Sequence, residues 1–168
     1  MTVLGISRGH ATPAAAEHWV YDLVSPAGRG GVVACTHLVR APHPHVAVSI
    51  EGLAGAPAEA GDPALAEAAE LAAAAHTART GGRAVLYPGV ELLVGTLTVA
   101  DLLAASAIER VTVIGGPPAA PDSPVRTRDF VRPQWMDGRL TLVTTPVAGG
   151  GIAPFEVPNP TPCCADHA

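Results

Sequence analysis

The sequence predicts an α+β domain whose sheet is mainly antiparallel, with two helices. Three observations carry that reading. Short apolar or β-branched runs lie at residues 18–24, 32–39 and 45–50, bounded by Gly and Pro turns. Two helix starts carry capping residues, at Asp62 and at Thr98. The last third shows no helical period, only two strand-like runs around Asp137-Gly138.

Residues 1–16, rich in Ala, Thr and Pro, read as a loose lead-in. His18 to Val24 alternates, with Trp19, Tyr21 and Leu23 on one face, which predicts a strand. Ser25 to Gly31 is a turn, Val32 to Val39 a second strand and His45 to Ile50 a third. Together these predict an N-terminal three-stranded meander. Asp62 then caps a helix whose first position is Pro63, running toward Thr80, where Gly81-Gly82 stops it.

Arg83 to Tyr87 predicts a strand, Thr98 to Ala107 a helix and Arg110 to Ile114 a strand. That order is compatible with one short βαβ crossover, which would make the two strands parallel. Val125 to Arg132 and Arg139 to Thr145 predict a C-terminal hairpin turned at Asp137-Gly138. Residues 17–157 form the expected domain, and residues 158–168 a Pro-rich tail containing Cys163, Cys164, Asp166 and His167.

The chain has 168 residues, 48% hydrophobic and 15% charged, which suits one folded domain with a sizeable core. All its basic residues are arginine, which excludes Schiff-base and P-loop lysine chemistry. The arginine bias, with abundant Ala and Pro, also fits a GC-rich bacterial origin. A net charge of −5 argues against nonspecific binding to nucleic acid or anionic membrane. No long apolar run appears, so the reading expects a cytoplasmic chain without a leader or membrane span. An odd count of 3 cysteines is expected as reduced thiols.

Two clusters carry candidate chemistry. Cys163, Cys164, Asp166 and His167 offer the thiolate, imidazole and carboxylate ligands of zinc, copper or iron. Cys35 and His37, two apart on a strand, point to the same side and could close such a site. Arg126, Arg128 and Arg132 share one strand parity, with Phe130 between them and Arg139 beyond the turn. Arginine forks in that order suit a small anionic ligand. His76, inside the alanine-rich helix, is expected to be half-buried or on the surface. Gly28-Arg29-Gly30-Gly31 opens no helix and is a plain turn.

The leading expectation is a non-catalytic accessory or regulatory binding domain. It would bind a metal through the Cys/His tail, or dock on a protein partner, or pair as a homodimer through sheet edges. The alternative is a small thiol- or metal-dependent enzyme built on Cys35, His37 and the tail. A second alternative is a regulator that sets the arginine hairpin against nucleic acid.

Overall fold

The computed structural model describes residues 2–55 and 61–158. The order of elements is β1 (Val3–His10), α1 (Pro13–Leu23), β2 (Val33–Val39), β3 (His45–Glu51), α2 (Ala66–Thr77), β4 (Arg83–Leu86), β5 (Thr96–Thr98), α3 (Val99–Ala105), β6 (Arg110–Val113), β7 (Pro124–Arg126), β8 (Gln134–Met136), β9 (Arg139–Pro146) and β10 (Ile152–Pro154). The sheet is open and runs β1-β3-β2-β4-β8-β9-β10-β7-β5, with β6 beside β9. The β6/β9 and β10/β7 pairs are parallel and every other pair is antiparallel. The fold is therefore the expected α+β class with a mainly antiparallel sheet.

The lead-in expected at residues 1–16 is instead β1 and the start of α1. Val3 to Ser7 pair with Glu51 to Ala47 of β3, and the register slips before His10, where Gly9 has φ 71. The strand expected at 18–24 is likewise helical. Thr12 caps it by accepting from the Ala15 N–H at 3.2 Å, and Pro13 occupies the first turn. Ala16 and Val20 are buried at i, i+4 spacing, so the 3.6-residue period prevails over the alternation of Trp19, Tyr21 and Leu23. The N-terminal three strands are therefore β1, β3 and β2.

β3 lies between β1 and β2, with a helix packed on each face. Ile6, Ala34, Val46, Val48 and Ile50 pack with Ala16 and Val20 of α1. On the other face Ala47 meets Ala68 and Ala72 of α2. Approach there is close: a Cβ on Gly5 would lie 1.9 Å from the Ala69 carbonyl oxygen. Asp62 accepts from the Ala64 N–H at 2.9 Å and starts a short 3₁₀ turn that leads into α2. The helix ends at Thr77, and Arg79 then takes the left-handed conformation at φ 53.

The C-terminal strands wrap a second core, with Leu93, Leu102, Val125, Val131, Trp135, Leu140 and Leu142 at its centre. Thr98 caps α3, accepting from the Asp101 N–H at 3.1 Å and donating to its carboxylate at 2.7 Å. The strands expected to pair across a crossover do not: β4 lies between β2 and β8, whereas β6 pairs with β9. The Asp137-Gly138 turn joins β8 to β9, with φ values of 51 and 79, as a two-residue hairpin turn requires. The run expected as one strand at 125–132 is broken by Arg128 and Asp129, both at positive φ.

Candidate functional site

The N-terminus of α1, β2, β4, the 127–134 segment and the chain after β10 meet around one groove. It consists of two adjoining hollows of about 650 Å³ and about 490 Å³ that share Pro13, Arg83, Gln134 and Glu156. Phe130 and Phe155 line one end, and His37 and Leu38 the other. Phe155 is 63% exposed and Leu38 81% exposed, so large apolar side chains stand open at both ends.

Three charged side chains, Glu17, Arg83 and Glu156, line it, and Arg132 stands behind Glu17. Arg83 Nη1 donates to Glu17 Oε1 at 2.5 Å, and its Nε donates to the Glu156 oxygens at 2.7 and 2.8 Å. Arg83 Nη2 also meets Glu156, completing a two-pronged fork. Arg132 Nη2 donates to Glu17 Oε2 at 2.8 Å, so one carboxylate bridges two guanidiniums. Phe130 lies against both cations, with its ring centre 4.2 Å from Arg132 and 5.8 Å from Arg83. Burial pushes the Glu17 carboxyl up, but the hydrogen bonds and charges of Arg132 and Arg83 outweigh it and hold it below the usual range.

A third hollow, of about 580 Å³, lies between Tyr21, Arg29 and Val94. Its Arg29 is already engaged, donating to the Val24 and Tyr21 carbonyls and stacking on the Tyr21 ring at 4.8 Å. The first groove, with the half-buried Phe130 and the open Phe155 over a carboxylate-binding fork, is the better-equipped site.

Behind His37 runs a buried polar chain. His37 Nε2 lies 2.7 Å from the Ser49 hydroxyl, which lies 2.8 Å from His76 Nδ1. The hydroxyl can donate to one ring and accept from the other. His76 Nε2 is buried without a hydrogen bond, 3.7 Å from Glu51 Oε2. Gly82 leaves room for His37: a Cβ there would lie 2.7 Å from its ring. Serine, histidine and glutamate thus meet, but Ser49 is wholly buried and lines none of these three hollows. Cys35 is sealed beside it, and burial pushes its thiol up to about 12, against a smaller opposing effect of Trp135. In a Cys163→Ser/Cys164→Ser protein, a thiol reagent should leave Cys35 unmodified until denaturant is added. Stoichiometric labelling of the native protein would show that the thiol is open.

Burial, with a smaller effect of His76, pulls His37 down to about 4. Its unfolded-state value is near 6.5, so between these values the unfolded chain binds the extra proton. Stability is therefore full above pH ~6.5 and falls as the pH drops toward 4. His76 and His10, also held low by burial, act in the same direction. The unfolding free energy from urea titrations should fall steadily between pH 7 and pH ~4.5, by roughly 2–3 kcal/mol in all. A flat profile, or a His37 titration by NMR near 6.5, would contradict this.

The expected site residues fare unequally. Cys35 and His37 share one side of β2, as their spacing required. Cys163, Cys164, Asp166 and His167 lie outside the described residues. Among the described residues no group of three His, Cys, Asp or Glu side chains is placed to hold a metal ion. The arginine ladder does not form. Arg126 ends β7, Arg128 sits in the left-handed bend, Arg139 opens β9, and all three are exposed. Arg132 alone of the four reaches the groove's charges, through Glu17, while itself lining the third hollow; positive φ at Arg128 and Asp129 destroys the shared strand parity. His76, expected to be half-buried or on the surface, is 1% exposed. Its i, i+4 register with Ala68 and Ala72 was the available signal. Comparison with protein-family models, curated proteins and solved structures finds no match to this chain.

Proposed function

We propose that the protein is a non-catalytic binding domain that takes a small ligand in the groove over Arg83. The observation that carries this is convergence: a guanidinium fork, Phe130 and Phe155 face one hollow of about 650 Å³. Apolar walls with a few placed polar groups are the usual composition of a ligand site. Cys35, one of the thiols of the enzyme alternative, is withdrawn from that hollow by burial. Nucleic-acid contact gains nothing from Arg126, Arg128 and Arg139, which lie apart.

The test is an NMR amide map of the full chain with indole and with phenol as probes. Shifts should gather at Gly82, Phe130, Gln134 and Phe155, and Phe155→Asp should weaken them. Shifts gathered elsewhere, or none at millimolar probe, would overturn the reading.

A further inference from the structure

The geometry points to a small carboxylate with an apolar body as the groove's ligand, bound on Arg83 in the place that Glu156 occupies. This rests on the reading of the groove as a ligand site and names the ligand's chemistry.

The two carboxylates on Arg83 are not equivalent. Glu17 is 14% exposed and is held by both arginines, one at each oxygen. Glu156 is 36% exposed and is bonded to Arg83 alone among the described residues. Glu17 is thus part of the floor, whereas Glu156 fills the Nε/Nη2 edge of Arg83, which opens on the groove. Its own neighbour Phe155 projects into solvent rather than into a core.

Charge decides the ligand's sign. With Glu156 in place, Arg83, Arg132, Glu17 and Glu156 sum to zero. Without it the set carries one net positive charge, on a planar fork whose geometry matches a carboxylate. Glu156 itself shows a carboxylate seated on that edge, with both oxygens at Nε and Oε1 also at Nη2. Partly exposed ion pairs contribute little net stability, so the exchange is inexpensive. A carboxylate carried on an aromatic or aliphatic body would gain what Glu156 lacks, contact with Phe130 and Phe155. A cationic ligand would gain nothing at the Arg83 edge that Glu156 vacates.

The experiment compares 3-phenylpropanoate with its amide, 3-phenylpropanamide, by NMR titration of the full chain and of Glu156→Gln. Expected are shifts at Phe130, Gln134 and Phe155 with the carboxylate, stronger binding than the amide, and about fivefold tighter carboxylate binding in Glu156→Gln. The amide's affinity should not change between the two proteins. Equal binding of both probes at the groove, or no tightening in a Glu156→Gln protein with native spectra, would overturn the carboxylate assignment and leave the ligand site standing. Failure of both probes, together with indole and phenol, to shift any groove residue would remove the site itself.

Discussion

Replacing Gly5 by alanine should destabilise the fold by about 3 kcal/mol or more, the upper range for overpacking a core. The added Cβ would lie 1.9 Å from the Ala69 carbonyl oxygen and 2.7 Å from its carbonyl carbon. Both atoms belong to the α2 backbone, so no side chain can rotate away. Either the helix lifts off β1 and β3, or β1 leaves the ladder. The small residues of this interface, Ala47, Ala68 and Ala72, leave no slack to absorb the shift. Gly30→Ala is the control, because nothing lies within 4 Å of the added atom. It should stay within about 0.5 kcal/mol of the parent. Denaturant midpoints measure both, and equal midpoints for the two variants would show that α2 does not rest on Gly5.

The second large effect is expected at Glu17. Glu17→Ala removes the carboxylate that joins Arg83 to Arg132, whose side chains are 16% and 11% exposed. Arg83 keeps Glu156, but Arg132 is left with the Val131 carbonyl and the face of Phe130. Stranding a mostly buried cation this way destabilises by about 3 kcal/mol. Adding Arg132→Leu should recover part of the loss, since the stranded charge goes with it. A double variant as unstable as the sum of the two single ones would mean that Glu17 and Arg132 act independently.

Much of the fold could be read locally. Asp62-Pro63 announced α2, Thr98 announced α3, and Asp137-Gly138 announced the β8–β9 turn, because each signal acts within a few residues. β1 was hidden by Gly5 and Gly9, which dilute its apolar pattern. Gly5 is small because of α2, a neighbour more than sixty residues away, which no local window contains. α1 offered two periods at once, and Thr12 with Pro13 decided between them. The pairing of β6 with β9 rather than β4 depends on the whole sheet. The groove was the least legible part. Arg132 meets Glu17 across 115 positions and Arg83 meets Glu156 across 73, so the site has no motif. Arg132 was singled out for its strand parity, and it serves through its reach to α1 instead.

The backbone ladder between the two halves of the sheet is narrow. β4 and β8 share one register pair, Arg83 with Gln134, flanked by backbone bonds from Ala84 to Pro133 and from Trp135 to Gly82. Glu17–Arg132 and Arg83–Glu156 both straddle that line. The halves are thus joined by charge as well as by the packing of Cys35, Ala84 and Tyr87 into the second core. Ionic strength and acid weaken charge pairs more than they weaken packed hydrocarbon. Such conditions loosen the charged side of the join first, while Cys35, Ala84 and Tyr87 keep the halves packed together. A ligand lying across Arg83 and Gln134 would span the same line and reinforce that charged side of the join.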